Sequence, residues 1–317
     1  MLLFLISSDK IHNITHYFFK GKVNHLMIVL ILISLLFFVY YHLTKEIPIL
    51  MYHRIADIPN DRNTVAPKMF EEQLKYLKKN QYTTISLHDL YNHITTNSPL
   101  PPKSIVLSFD DGYEDNLTNA LPLLKKYDMI ATVCIISNWI GQENDWEHYK
   151  NKPHCRTMDL EQLQEWLRQG MSMCAHTANH LFLSRLNNEE ILYELANCKS
   201  TLEEYLHIPI DFLCYPYGDF DDRVKMIAKQ AGYKAALGIF KDTNFWQRDL
   251  LSLKRVVISS RQPLWEFALK VSPLHMLFIG MRILEYRVKQ YRNLLVPSTL
   301  RCRLSNRGNK KDMHKSN

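Results

Sequence analysis

The 317-residue sequence predicts an α/β fold in which parallel strands form one sheet, open or closed into a barrel, with helices packed over it. Two observations lead there. Seven short apolar runs alternate with five longer stretches of helical periodicity, and the polar residues able to do chemistry fall, cluster by cluster, just after the C-terminal ends of apolar runs. In βα folds that edge is where the loops converge over a ligand. A composition of 46% apolar and 22% charged residues suits such a globular body and excludes a disordered or collagen-like chain.

Before the first strand, 22 uncharged residues lie between Lys22 and Lys45, and as a helix they reach about 33 Å. Residues 23–44 are therefore expected to be a membrane anchor, and residues 1–22 a cytoplasmic tail. The apolar run is long, begins late and ends in Phe37-Phe38-Val39-Tyr40-Tyr41 without a small-residue cleavage pattern, which favours an uncleaved anchor over a signal peptide. Lys10, Lys20 and Lys22 precede it and only Lys45, offset by Glu46, follows closely, so the positive-inside bias puts the body outside the cytoplasm.

The body, residues 45–262, is expected to carry strands at 47–52, 104–109, 130–136, 171–175, 211–215, 234–237 and 254–258. Helices are expected at 67–80, 116–127, 159–169, 188–206 and 221–231. Asn188 with Glu189 and Glu190 suits a helix N-terminus, and Gly170 and Gly232 stand where left-handed C-caps belong. Residues 263–317 read as amphipathic helices, packed on the body or lying on a membrane surface, and a basic tail.

The net charge of +7 is local: residues 282–317 hold ten Lys and Arg against Glu285 and Asp312, a balance of +8, which leaves the rest of the chain near −1. A basic tail on a nearly neutral body fits an anionic surface such as a membrane, and not a domain that reads nucleic acid with its folded face. The six cysteines include no CxxC pair, so neither a zinc ribbon nor a thioredoxin-like site is indicated. Cys134 and Cys174, inside apolar runs, read most simply as small core residues, with disulfide partners the alternative.

Four clusters end strands: His53; Asp110-Asp111-Gly112-Tyr113; His176-Thr177-Ala178-Asn179-His180; and Tyr215-Pro216-Tyr217-Gly218. Two adjacent carboxylates leaving a buried strand point different ways, so one can bind a cation while the other takes a proton from water. Alone, Asp-Asp-Gly reads at least as well as a turn followed by helix-start acids. His176 and His180, at i and i+4, fall on one side of a helical turn, although many such pairs bind nothing. With an aspartate from another strand they would make three protein ligands and leave a position for water. Trp139, Trp146, Tyr113 and Tyr217 offer ring faces on which a sugar can stack, or are core or rim residues.

Taken in order, Ser108-Phe109-Asp110-Asp111-Gly112, His176 to His180 and Tyr215-Pro216-Tyr217-Gly218 resemble the successive motifs of the NodB-like polysaccharide deacetylases, carbohydrate esterase family 4. The opening Pro48-Ile49-Leu50-Met51-Tyr52-His53-Arg54-Ile55 is similar to the start of a subgroup that handles exported N-acetylglucosamine polymers, and the resemblance covers residues 47–260. It implies a deformed (β/α) barrel that removes acetyl groups from a carbohydrate with one divalent metal ion. By motif, Asp111, His176 and His180 match the metal ligands, Asp110 the general base, and the Tyr217 backbone N–H the donor to the developing oxyanion. Tyr113, Tyr215 and Pro216 are assigned to substrate binding.

Two departures stand out. Many members place an Arg where Cys214 stands, tethering the base, and many have a late Leu-x-His whose imidazole serves as general acid. After His207 only His275 and His314 remain and neither fits, so the acid role goes to His53 on a permuted motif order; a histidine that merely lines the pocket is the alternative. Zinc suits the ligand set, and cobalt, nickel, manganese or iron fit by donor type.

The expected function is a membrane-anchored, metal-dependent N-deacetylase of an amino-sugar glycan, polymer or precursor, at the cell envelope. O-acetyl glycan esterase, lipid-linked sugar deacetylase and non-catalytic glycan-binding protein are the alternatives, the same centre being able to attack either carbonyl. Full retention of Asp110, Asp111, His176 and His180 argues against the last, because a buried set of acids and imidazoles is costly to keep without its cation.

Overall fold

Strand β5 (Ser104–Phe109) is buried at all six positions, as expected of a strand covered on both faces of a parallel sheet. The structure, a computed structural model, describes residues 27–34, 47–146, 153–239, 249–260 and 262–272, together with helical positions 281, 284 and 288. All seven expected strands are present, β5 at the bounds read and the others somewhat shorter: β1 (Ile49–Tyr52), β5, β6 (Thr132–Ile135), β7 (Ser172–Ala175), β8 (Phe212–Cys214), β9 (Ala235–Leu237) and β10 (Val256–Val257). They run parallel in the order β10-β1-β5-β6-β7-β8-β9. The sheet curls until its two edges meet at one parallel bridge, Leu237 to Leu253.

Three two-residue strands escaped the sequence reading. β2 (Arg54–Ile55) pairs with β3 (Thr64–Val65), and β4 (Thr83–Thr84) extends the sheet beside the start of β5. Segments of two residues carry no periodicity.

The helices α1 (Pro67–Lys79), α3 (Leu121–Lys126), α4 (Leu160–Arg168), α5 (Asn188–Leu206) and α6 (Asp222–Gln230) stand where helical patterns occur in the sequence. α2 (Leu87–Thr96) was not anticipated, although Ser86 and Asp89 form a reciprocal capping box at its start. The stretch 116–127 splits into a π turn at 116–120 and α3, whose second residue is Pro122. α5 is capped by Asn187, whose side chain accepts from the Glu190 N–H, and not by Asn188. Gly170 and Gly232 do take positive φ just past their helices.

The sheet's period of two sorts its residues. Ile49, Val106, Cys134, Cys174, Phe212, Cys214, Ala235 and Leu237 gather in one buried cluster inside the curl. On the other side Tyr52, Phe70, Phe109 and Trp166 pack ring against ring, with centroids 5.4–6.2 Å apart. Inside, Cys134 and Cys174 are register partners on β6 and β7 and are joined by a disulfide, which corrects their reading as plain core residues. Strand order is not written in the sequence, so their facing each other could not be seen there.

Contacts divide the chain into Met1–Glu46 and Ile47–Asn317. In the first unit, residues 27–34 are helical with Met27 and Val29 to Ile33 exposed; the rest of the expected anchor and the cytoplasmic tail lie outside the described residues. Among the described residues no helix is long and apolar enough to cross a membrane. In the second unit, α7 (Leu264–Val271) buries Phe267 against Tyr76 of α1 and leaves Trp265 exposed. The basic tail lies outside the described residues.

Candidate active site and metal centre

β5 ends in a sharp exit. Asp111 and Gly112 both adopt left-handed backbone, with φ of 74° and 72°. An unbranched Asp tolerates that conformation at a cost of about 1–3 kcal/mol, and such strain collects at functional sites. Glycine suits position 112, where the backbone is left-handed and a Cβ would lie 2.8 Å from Ile135 Cδ1. The exit turns Asp110 toward β10 and Asp111 toward the loop after β7, and both are buried.

That loop holds His176 and His180 without any helix, contrary to the expectation of one helical turn. Thr177 and His180 take φ of 66° and 60°, and the imidazoles close on each other with ring centroids 4.8 Å apart. Their Nε2 atoms each stand 3.4 Å from Asp111 Oδ1, an atom with no hydrogen-bond partner. Bonds of about 2.1 Å directed tetrahedrally place neighbouring ligand atoms about 3.4 Å apart. An orphaned buried carboxylate oxygen with two imidazole nitrogens at that spacing fits a divalent ion by geometry and by donor type. His176 is oriented from behind by Nδ1, 2.8 Å from the Cys214 carbonyl, the outer contact a ligating imidazole usually makes. Burial lowers His180 to about 3, leaving it neutral. Burial opposes ionisation of Asp111, but His176 and His180 outweigh it and hold the carboxyl below the usual range. Both are then in the forms that bind metal.

Beside this triad stands a group the sequence reading missed. Arg255, just before β10, sends Nη1 to Asp110 Oδ1 at 2.6 Å and Nη2 to Oδ2 at 2.8 Å, a two-pronged pair with both side chains buried. Its Nε donates to the Gly238 carbonyl, Nη1 also to Ser108 Oγ, and Nη2 to Cys214 Sγ at 3.1 Å. The guanidinium expected at position 214 is thus supplied from 41 residues further on, over the small thiol that stands in its place. Burial pushes the Asp110 carboxyl up, yet Arg255, helped by His176 and His53, holds it below the ordinary value. The available signal was a charged Lys254-Arg255 pair opening an otherwise apolar strand.

These groups line one cavity of about 450 Å³ with His53, Trp146, Tyr215 and Tyr217. His53 Nδ1 is buried without a hydrogen-bond partner, and burial lowers the imidazole's pKa against the pull of Asp111 and Asp110. Tyr217 takes φ 57° in the turn opened by buried Pro216. Its ring stacks on Phe182 at 4.0 Å and meets His180 at 4.5 Å, while Arg185 covers the other side of Phe182 at 4.1 Å. Tyr215 reaches the wall and donates its hydroxyl to the Leu251 carbonyl. Tyr113 is not at the wall: fully buried, it packs on Trp146 and accepts from Arg54 Nη2 at 2.7 Å, so its place is behind the site. Trp139 likewise backs Trp146.

With this arrangement in view, known proteins are informative. The polysaccharide deacetylase family model matches residues 97–236. YxkH of Bacillus subtilis (strain 168), whose name assigns it to the polysaccharide deacetylases, is 31% identical over 216 residues, 68% of this chain and 72% of that protein. Poly-beta-1,6-N-acetyl-D-glucosamine N-deacetylase of Staphylococcus aureus (strain MRSA252) is 27% identical over 180 residues, 54% of this chain and 59% of that enzyme. Among solved structures, the deacetylase PplD of Streptococcus pyogenes in complex with acetate superposes with a TM-score of 0.62 at 28% identity, covering 72% of this chain and 98% of that one. The fold is thus shared with a solved deacetylase, and the chain is a hydrolase that belongs to the polysaccharide deacetylase family.

Proposed function

We propose that the protein removes N-acetyl groups from an amino-sugar glycan at the cell envelope, using one divalent metal ion held by Asp111, His176 and His180. The observation that carries this reading is the Arg255–Asp110 pair standing beside three converging ligand atoms in one cavity. A divalent ion bound there supplies Lewis acidity toward a carbonyl and water ionised near neutral pH. Asp110, kept charged by Arg255, accepts the proton of the attacking water. The Tyr217 N–H donates to the acetyl oxygen as negative charge grows on it. His53, which lines the same cavity, gives a proton to the departing amine. Water is consumed, the C–N bond breaks, and acetate and a glycan ammonium group result.

The amino-sugar substrate is supported by the poly-N-acetylglucosamine enzyme among the relatives, of which the chain spans 59%. The envelope location draws on the apolar stretch 23–44, the lysines before it, and the buried Cys134–Cys174 disulfide, a bond that persists in oxidising compartments. The test is acetate release by the full chain from β-1,6 and β-1,4 N-acetylglucosamine oligomers and acetylated xylan, with chelator and with added zinc or cobalt. Metal-dependent release from an amino-sugar oligomer, lost in Asp110→Asn while metal stays bound, is expected. Release from xylan alone would replace the amide reading with an ester one.

A further inference from the structure

Glu194 is a buried carboxylate on α5, 2% exposed, that the reaction above does not use. Its partners are all amide groups of the histidine loop. Oε2 accepts from the Asn179 N–H at 2.8 Å and Oε1 from Asn179 Nδ2 at 2.6 Å, while the Glu194 carbonyl accepts from the Ala178 N–H at 3.0 Å. From the other side, Ser137 and Asn138 donate their N–H groups to the Thr177 and Ala178 carbonyls, and Asn138 Nδ2 donates to Asn179 Oδ1. The segment between strand β7 and the second imidazole is therefore gripped from two sides, and Thr177, one of the residues so held, and His180, which follows Asn179 directly, have left-handed backbone. For a β-branched threonine that conformation persists only where its surroundings dictate it.

We propose that Glu194 is a positioning residue of the metal centre: its carboxylate clamps Asn179 and so sets the separation of His176 and His180 before any ion arrives. The clamp makes no contact with the ligand atoms and acts through the backbone of residues 177–180. Groups that orient metal ligands from outside typically carry a 10- to 100-fold share of metal affinity. Glutamine at 194 can accept only one of the two Asn179 donors, because its amide nitrogen meets the other, and Asn138 holds Asn179 against turning over. The order of metal affinity expected is wild type, then Glu194→Gln, then Glu194→Ala.

The inference rests on the metal reading of the triad, and zinc affinity of the full chain, measured by competition with a chelating dye, separates the two. One zinc per wild-type chain, bound about 10- to 100-fold more weakly by folded Glu194→Ala and to an intermediate degree by Glu194→Gln, is the result expected. Folded Glu194→Ala with wild-type affinity, whatever its melting temperature, overturns the clamp and leaves the metal centre standing. No zinc bound by folded wild-type protein overturns both. Should Glu194→Ala fail to fold, Asn179→Ala, which removes only the side-chain half of the grip, carries the same comparison, and unchanged affinity there is equally fatal.

Discussion

Replacing Arg255 by Met keeps an unbranched apolar stem and removes the only cation that hydrogen-bonds Asp110 among the described residues. Both members of the pair are almost wholly buried, at 1% and 5% side-chain exposure, so water cannot take over the lost contacts. Removing one partner of a buried pair costs about 3–5 kcal/mol, which in a domain of this size lowers Tm by about 6–20 °C. Asp110 escapes part of this cost by taking up a proton, since burial already favours its neutral form. The sign is fixed: in wild type the depressed carboxyl stays ionised down to acid pH, and in Arg255→Met it titrates higher. The acid limb of the pH–kcat/KM profile for acetate release then moves up, and kcat/KM at neutral pH falls by about 10²–10⁴, the usual share of a general base. A second arginine tests the geometry, for Cys214→Arg in the Arg255→Met background restores a guanidinium beside Asp110 from another strand of the curl and recovers part of the activity. An Arg255→Met enzyme with wild-type kcat/KM and an unmoved acid limb would refute the argument that Arg255 keeps the base charged.

Further outcomes are expected elsewhere. Burial raises Asp115 to about 6, against the Ile55 N–H and Arg54, so the folded state holds this proton more tightly and stability falls as pH rises from about 4 to 6. Asp115→Asn, which keeps an acceptor for Ile55, should be more stable than wild type in urea at pH 7 by as much as about 3 kcal/mol and equal to it near pH 3.5; equal stability at both would sink the idea. Gly218, at φ 59°, has no room for a Cβ, which would sit 2.6 Å from Ile239 Cγ1, so Gly218→Ala should cost about 1–3 kcal/mol and disturb the Tyr217 turn; a variant with wild-type Tm and kcat contradicts this. Non-reducing peptide mapping should recover Cys134 joined to Cys174, and finding both alkylated in oxidised protein would count against the bond.

Much of the site was legible because its parts are local. Asp110, Asp111, His176 and His180 each lie at or just past the end of an apolar run, and parallel topology brings such ends together without further information. What was lost depended on contacts between distant residues. Arg255 lies 145 residues from the carboxylate it holds, and only the pairing of β10 with β1 brings them together. The disulfide needed the β6–β7 register, and Tyr113, close to the aspartates in sequence, turned inward to serve Arg54. The histidine pair was found for a reason that proved incorrect: i, i+4 spacing suggests a helix turn, whereas a gripped loop with two left-handed residues achieves the approach. The α5 boundaries held, but the cap fell one residue earlier than read, because Asn187 and Asn188 are identical as letters and only one reaches the Glu190 N–H.

The strand that follows Arg255 closes the curl on β1 and comes last in the sheet's chain order. A ribosome therefore releases the ligand cluster and its aspartates long before the cation that keeps Asp110 charged. A product ending ahead of residue 255 has Asp110, Asp111, His176 and His180 in its sequence but lacks the guanidinium that pairs with Asp110.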